Sequence, residues 1–320
     1  MATTEGTLSA QGSLAQRRSA GVWHDAFGRL RKNKLAMVGL VVVIVLFSLA
    51  ILGPFLAPWQ YQVQDQQAII DNMFRPVKPL SDIAWNTGHY LGTDELGRDL
   101  LSRLLDGAQI SMSVAIVVQI VVLVIGLPIG ALAGWFGGRV DNLLMRFTDI
   151  TYAFPDLLFI ILLTVVFKDT WFGDAVDGLL LVFVAIGIVS WVGVARLVRG
   201  QMLSLKETEY VEAARAIGVP DRRIVSRHLL PNAIGPIIVA VTLGIPGAIL
   251  AEALLAFIGI GANPPRASWG SLITEGQTWM SSEPHLLLFP AIAIALALLS
   301  FTFLGDGLRD ALDPKLKGKQ

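Results

Sequence analysis

The ionisable residues that could carry chemistry are few and scattered in this chain of 320 residues. Asp94, Glu95 and Asp99 form one acidic cluster, and neighbouring carboxylates can serve acid–base catalysis. Glu252 is the one carboxylate well inside a long apolar segment. A charge there costs about 2.5–3.5 kcal/mol on insertion scales, so we expect Glu252 to face protein or water and to have a partner. It could form a proton or substrate site, or it could pair structurally near the outer end of its segment.

Several chemistries are excluded by what the sequence lacks. There are no cysteines, which excludes disulfides, thiolate metal sites and cysteine nucleophiles. The histidines are too scattered for a metal site, and no H-E-x-x-H motif occurs. No glycine-rich phosphate loop is present, so any ATP that drives this protein must be bound by a partner. The net charge is zero, which gives no indication of nucleic acid as a partner.

The longest charged interruption between two apolar segments in the second half of the chain runs from Glu209 to Pro231. Its first part has small and apolar residues at the spacing of one helical face. That face consists of Tyr210, Ala213, Ala214 and Ile217. Gly218 predicts the end of this helix, and Pro220 predicts a second short helix before Pro231 opens the next apolar segment. A short helix with such a face, followed by a sharp turn, is suited to docking into a groove on another protein.

This stretch resembles the EAA loop of ABC importer permeases, whose pattern is E-A-A-x3-G-x9-I-x-L-P. The chain fills the pattern with EAARAIG and HLLP, except that His228 stands where Ile is common. That variant is associated with the peptide and nickel permeases. In the family, the loop carries a coupling helix that sits in a cleft of the ATPase subunit. The resemblance therefore implies ATPase coupling for Tyr210, Glu212, Ala213, Ala214, Arg215, Gly218, Arg222, His228 and Pro231.

Three further motifs resemble the C-type subunit of dipeptide and oligopeptide permeases. GTDELGRDLLSRLL precedes the second apolar segment and matches a family signature at Asp94, Arg98, Asp99 and Arg103, among others. AEALLAFIGIGANPPRASWG and LGDGLRDALDPKLK match two later stretches. Glu252 lies in the first of these two, and the resemblance favours its structural role.

The composition and the apolar segments predict a membrane protein. The chain is 54% hydrophobic and 16% charged, with a mean hydropathy of +0.62, whereas soluble domains are about 25% charged. The first apolar run, 35–57, is long enough to cross about 30 Å of hydrocarbon. Five more follow, at roughly 110–135, 150–167, 178–197, 234–259 and 286–304. We expect an all-α polytopic membrane protein with six transmembrane helices, and the resemblance implies the type I ABC importer permease fold.

Glycine and proline interrupt several of these segments. The second segment contains Gly126, Gly130 and Gly134, and the fifth contains Pro246 and Gly247. Such residues are tolerated where helices line a cavity, and small residues also let helices approach closely. Both interpretations stay open. Under the first, Pro246, Gly247 and Glu252 belong to a translocation path.

Lys and Arg are concentrated near the N-terminus, in the EAA loop and in the C-terminal tail, which predicts that both termini and the loop are cytoplasmic. Trp23, Phe27 and Leu30 predict an interfacial helix, and Leu96, Leu100 and Leu104 predict an amphipathic helix before the second span. The predicted organisation begins with a cytoplasmic tail that carries the interfacial helix, 1–34, and a first transmembrane helix, 35–57. An extracytoplasmic loop with the amphipathic helix follows, 58–107. The rest is a core of five helices, 108–305, with the coupling loop at 198–233, and a cytoplasmic tail, 306–320.

The resemblance implies a permease subunit of an ATP-driven importer of di- or oligopeptides in the cytoplasmic (inner) membrane, working by alternating access. Its implied partners are a second homologous permease, two ATPase subunits that bind ATP and Mg, an extracytoplasmic solute-binding protein and membrane lipid, with no nucleic acid and no cofactor in this chain. Three alternatives remain: the same kind of importer moving nickel or another small solute, an ion-coupled secondary transporter using Glu252, and an intramembrane hydrolase. No nucleophile–base pair for the last can be assembled from the motifs.

Overall fold

The structure is a computed structural model that describes residues 22–176 and 178–313. Predictions for the first 21 residues and for the end of the C-terminal tail lie outside that part. The helices are α1 Val22–Lys32, α2 Lys34–Leu56, α3 Gln66–Asp71, α4 Asp82–Thr87, α5 Leu100–Phe136, α6 Gly138–Ala153, α7 Asp156–Phe167, α8 Trp171–Asp174, α9 Leu179–Lys206, α10 Glu209–Ala216, α11 Asp221–Ile224, α12 Leu230–Phe257, α13 Trp269–Gln277 and α14 His285–Leu312. A single π-helical turn, Val225–Leu229, joins α11 to α12.

Five helical stretches in the described part are long and apolar enough to cross a membrane. They are α2, α5, α9, α14 and the continuous run Asp221–Phe257 that contains α12. This confirms the all-α polytopic fold. Several helices extend beyond the predicted spans: α9 continues to Lys206 and α14 to Leu312, so the boundaries placed at 197 and 305 fall inside helices.

The predicted third span, 150–167, is not one straight helix. The axes of α6 and α7 differ by 86°, and the pair counts as a sixth span only if it is taken as one broken crossing. The break lies at Phe154 and Pro155, both of which have extended backbone. A proline disfavours helical backbone at the residue before it, which explains why α6 ends where it does.

The central helix α5 lies between two apolar cores. On one side it packs with α9 and α12, through buried residues such as Val118, Ile186 and Ile237. On the other side it packs with α2, α13 and α14, through residues such as Met112 and Phe301. Its 37 residues make it about 55 Å long, longer than the hydrocarbon layer. Displacement of α5 would therefore be felt in both halves of the bundle.

The contact between α5 and α9 depends on three glycines spaced four residues apart. A Cβ on Gly126 would lie 2.9 Å from the Trp191 carbonyl oxygen, and one on Gly130 would lie 2.4 Å from the Ala195 carbonyl oxygen. A Cβ on Gly134 would lie 2.5 Å from Cβ of Met202. No side chain fits at these positions without moving the helices apart. Of the two interpretations left open by the sequence, the structure therefore supports close helix packing for these three glycines, and not the lining of a cavity.

The N-terminal helix α1 folds back onto the end of α14. Ala26 and Leu30 are buried against Ala311, and the Arg29 guanidinium donates a hydrogen bond of 3.1 Å to the Asp313 carbonyl oxygen. Phe27 is exposed under the Arg31 guanidinium. The predicted apolar face is thus divided, because Leu30 packs on protein while Phe27 faces outward. The side chain of Trp23 lies outside the described part.

The amphipathic helix predicted through Leu96, Leu100 and Leu104 begins later than expected. Leu96 lies in an exposed turn, and α5 begins only at Leu100, whose side chain is buried. The Asp99 carboxylate caps this start by accepting the Ser102 N–H at 2.7 Å. The segment predicted as a separate surface helix is therefore the first two turns of the second long helix.

We expect Gly130→Ala to lower the stability of the folded chain by about 1–3 kcal/mol, because the added methyl group overpacks the contact between α5 and α9. The measurement is the melting temperature of the purified protein in detergent. Gly193→Ala on α9 is the matched control, since no atom lies within 4 Å of a Cβ built there. Equal melting temperatures for the Gly130 variant and the wild type would contradict this account.

Candidate functional site

Two polar constellations lie near the opposite ends of α5. One surrounds Arg103, near the start of the helix, and the other surrounds Trp135, near its end. At 1.5 Å per residue the two are about 50 Å apart. The constellation at Trp135 includes the segment from Glu209 to Leu229, which we call the coupling segment; it comprises α10, α11 and the π turn.

The first helix of the coupling segment ends in a left-handed glycine turn. Gly218 has φ +80°, a backbone conformation that costs glycine little and other residues more. The Gly218 N–H donates to the Arg215 carbonyl oxygen at 2.9 Å, and the Val219 N–H donates to the Ala214 carbonyl oxygen at 3.0 Å. These bonds satisfy carbonyls at the end of α10 and set the direction of α11. The predicted role of Gly218 as a helix stop is confirmed.

The predicted apolar face of α10 divides into an inner and an outer part. Ala214 packs against the apolar core beside the buried Val211, which the predicted face did not include. Tyr210, Ala213 and Ile217 are exposed, and Ile217 is exposed by 80%. We call these three residues the outer strip. Glu212, Arg215 and Arg222 are exposed as well, so the strip is bordered by charge and is available to a partner.

The coupling segment continues into α12 without a break. The second helix was predicted to end before Pro231, but helix runs from Asp221 to Phe257. Pro231 lies in the first turn of α12. The Leu230 N–H donates to the Val225 carbonyl oxygen, five residues back, as a π turn requires. A force on α11 therefore acts directly on a membrane-spanning helix.

A small polar contact ties the outer strip to the start of α12. The Asn232 side-chain amide donates to the His228 carbonyl oxygen at 2.6 Å and to the Tyr210 hydroxyl at 3.4 Å. The rings of Tyr210 and His228 lie 6.4 Å apart. The half-buried His228 thus lies between α10 and α12. The structure brings this predicted residue together with Tyr210.

Trp135, which no sequence motif indicated, joins the coupling segment to the end of α5. Its indole N–H donates to the Asp221 carboxylate at 3.3 Å, and its carbonyl oxygen accepts from the Lys206 ammonium at 2.6 Å. The Arg215 guanidinium lies 4.7 Å from the ring centre and the Lys206 ammonium lies 5.8 Å from it. Such cation–π contacts contribute about 0.5–1 kcal/mol each at partly exposed sites. A lone Trp at the end of an apolar run gives no sequence signal for these partners.

The second constellation is a charged cluster of Asp94, Arg98, Arg103 and Glu275. The Asp94 carboxylate pairs with Arg98 Nε at 2.6 Å and with Arg103 Nη1 at 2.7 Å. Arg103 also forms a two-pronged contact with the Glu275 carboxylate on α13, one bond of which is 2.9 Å long. Arg98 Nη2 lies 3.2 Å from Glu275. Three of the four predicted motif residues therefore meet here, and Glu275, which no sequence motif indicated, completes the cluster.

The fourth motif residue, Asp99, faces a different neighbour. Its carboxylate lies 3.0 Å from Nδ1 of the buried His89, whose Nε2 lies 3.4 Å from the Asp65 carboxylate. The His89 ring stacks on Trp59 at 4.7 Å. Asp94 and Asp99 are thus engaged by separate partners, and no arrangement for shared acid–base chemistry is present among them. These carboxylates fix the loop before α5 onto the bundle.

The pKa of Glu275 is shifted by its surroundings. Partial burial would raise the pKa of this carboxyl, but the hydrogen bonds and positive charge of Arg103, with the charge of Arg98, hold the pKa below its ordinary value of 4.5. Glu275 is therefore ionised at neutral pH and gains from its partners.

The residues predicted to line a translocation path differ in exposure. Glu252 is 1% exposed, and no charged side chain pairs with its carboxylate among the described residues. Gly247 is exposed with open space beside it, and Pro246 is half-buried. The polar group that interacts with the Glu252 carboxylate is the buried Ser268 side chain, so the expected partner is a neutral residue. The described part of the chain holds no group of three or more His, Asp or Glu residues that could bind a metal ion.

Comparisons with known proteins identify the family. The family model of the binding-protein-dependent transport system inner membrane component matches residues 126–318. The chain belongs to this family. A second model, the N-terminal TM domain of oligopeptide transport permease C, matches residues 21–76. The protein is thus a multi-pass inner-membrane permease subunit, not an enzyme.

Individual relatives and a solved structure agree with this placement. The oligopeptide transport system permease protein OppC of Haemophilus influenzae is 40% identical, over 94% of this chain and 91% of that protein. The dipeptide transport system permease protein DppC of Bacillus subtilis is 43% identical, over 94% of this chain and 88% of that protein. An inward-facing structure of the MetNI methionine ABC transporter matches with a TM-score of 0.53 at 19% identity, over 67% of this chain and 96% of that chain. At that identity the match shows the fold alone, which is the predicted type I ABC importer permease fold.

We expect Glu275→Gln to destabilise the permease by about 1–2 kcal/mol at neutral pH. This is less than the ~3–5 kcal/mol of a fully buried pair, because the Glu275 side chain is 38% exposed. Since the folded pKa is lowered, the stabilisation is fully present above pH 4.5 and is lost as the pH falls through the lowered value. Melting temperatures measured from neutral to acid pH should therefore converge for variant and wild type. A constant gap at every pH would show that the charge of Glu275 does not matter.

Proposed function

We propose that this permease is the C-type subunit of an ATP-driven importer that moves di- or oligopeptides across the inner membrane by alternating access. The peptide class is supported by the relatives OppC and DppC, which match nearly the whole chain. The observation that carries the ATP-driven mechanism is the coupling segment, which presents the outer strip and continues directly into a membrane-spanning helix.

The partners follow from the same proposal. A second homologous permease supplies the other half of the path, and two ATPase subunits bind ATP and Mg. A solute-binding protein delivers the substrate from the extracytoplasmic side. The coupling segment and both termini face the cytoplasm, where the ATPases are, and the charged cluster around Arg103 lies on the extracytoplasmic side.

The transmitted motion begins at the outer strip. ATP binding draws the two ATPases together, and the cleft of one ATPase displaces α10, with Ala213 and Ile217 in contact with its walls. The Tyr210–Asn232 contact and the continuous run from Asp221 to Phe257 pass the displacement to α12. This is rigid-body coupling between two states of a packed helix pair.

Nickel or another small solute remains the alternative substrate, since the nickel permeases share the His228 variant of the coupling loop. An ion-coupled mechanism through Glu252 has less support. It needs solvent access to the carboxylate, and Glu252 is enclosed within this chain.

The docking surface can be tested by cross-linking, because the chain has no cysteines of its own. A benzophenone probe attached at Ala213→Cys should form an adduct with the ATPase subunit in the assembled transporter. The control is Met73→Cys, which is also exposed but lies in the loop before α5. Adducts with the ATPase from Met73 and none from Ala213 would place the ATPase at the wrong end of the bundle.

Two variants test the mechanism. Glu212→Lys reverses a charge beside the outer strip, and Gly218→Pro removes the left-handed turn together with the N–H that bonds to Arg215. Both should insert into the membrane normally and lose ATP-driven uptake of radiolabelled trialanine. Normal uptake by both variants would remove the coupling role of this segment.

A further inference from the structure

We propose that Trp135 is the positioning residue that fastens the coupling segment to α5, so that displacement of α10 moves this helix as well as α12. The inference rests on the proposed function, because it concerns how the ATPase-driven motion spreads. It adds a second path of transmission, which does not run through the continuous helix from Asp221 to Phe257.

The first support is the number of elements that meet at this one residue. The Arg215 guanidinium comes from α10, the Lys206 ammonium from the end of α9, and the Asp221 carboxylate from the start of α11. Trp135 itself is buried at the end of α5. Neither α10 nor α11 can be displaced relative to α5 without breaking a contact to this residue.

The second support is that the contacts differ in kind and approach the residue at different atoms. Arg215 and Lys206 lie near the ring, where the attraction is between a cation and the π electrons. Asp221 accepts the indole N–H, and Lys206 also bonds to the backbone carbonyl oxygen. The side chain is therefore fixed in both position and orientation, as a residue that transmits force must be.

The third support is the stiffness of what Trp135 is attached to. The glycine contact with α9 allows little sliding, because the backbones of α5 and α9 touch at Gly126, Gly130 and Gly134. At its far end α5 is held to α13 through Arg103 and Glu275. A displacement at Trp135 is thus carried along the whole helix to the charged cluster about 50 Å away.

The matched control for a transmission role is Trp191 on α9. It is also buried, and it also lies where α5 and α9 meet, next to Gly126. Its ring stacks on Phe147 of α6 at 6.0 Å instead of contacting the coupling segment. Loss of either ring removes a comparable volume from the packed bundle, so a difference between the two variants reports the contacts of Trp135 and not packing in general.

The experiment uses the complete transporter in proteoliposomes, with both permeases, the ATPases and the solute-binding protein. Uptake of radiolabelled trialanine and ATP hydrolysis are measured together. Trp135→Leu should lower the uptake per ATP hydrolysed by at least about fivefold, the lower end of typical coupling between sites. Trp191→Leu should leave this ratio unchanged. Trp135→Phe should give an intermediate value, since it keeps a ring near Arg215 and loses the N–H to Asp221.

The outcomes separate this inference from the proposed function. An unchanged ratio in Trp135→Leu, or an equal fall in Trp191→Leu, overturns the role of Trp135. The Ala213→Cys adduct with the ATPase should persist in every variant, whereas its absence from the otherwise wild-type transporter would count against the proposed function. If the Trp135→Leu transporter does not assemble, the uptake per ATP hydrolysed of Trp135→Phe is compared with that of Trp191→Leu instead, and an unchanged ratio again overturns the role of Trp135. If the wild type takes up no trialanine, that result counts against the proposed peptide substrate. The Trp135 variants are then compared by how strongly the solute-binding protein stimulates ATP hydrolysis, and an unchanged stimulation in Trp135→Leu overturns the role of Trp135.

Discussion

The close approach of α5 to α9 is the constraint on which the rest of the structure depends. At three positions along the contact α5 carries a glycine, so its backbone lies against α9 there and the helices hold one relative position. That position places Trp135, at the end of α5, beside Lys206, at the end of α9. It also fixes the frame against which the coupling segment packs, because Val211, Ile224 and Leu229 belong to the same apolar core as the two helices.

The two ends of α5 are stabilised by different interactions: buried ion pairs at its start, and cation–π contacts and hydrogen bonds at its end. At the start, Arg103 is buried and is neutralised by two carboxylates, a geometry that tolerates little movement because a displaced arginine would be left uncompensated. At the other end, the coupling segment keeps apolar and charged side chains exposed, and its contacts to Trp135 are individually weak. One end is therefore held and the other can respond to a partner.

The sequence predicted the helical class, the approximate positions of five long helices and the glycine turn at Gly218, because apolar length and local turn chemistry are encoded by neighbouring residues. It did not predict the bend at Pro155 or the uninterrupted helix through Pro231. A proline signals a boundary in both cases, and only the surroundings decide whether the helix breaks or adapts through a π turn. The partners of Trp135 and Arg103 were missed for another reason. Asp221 is 86 residues from Trp135 and Glu275 is 172 residues from Arg103, so no local pattern relates them.

The packing of α1 on α14 has a consequence for how the molecule is made. Arg29 and Asp313 are 284 positions apart, nearly the full length of the polypeptide. During synthesis α1 leaves the ribosome well before α14, which supplies its binding surface. Ala26 and Leu30 therefore stay without their partner until α14 has been synthesised. The contact between α1 and α14 therefore forms only after every membrane-spanning helix between them has been synthesised.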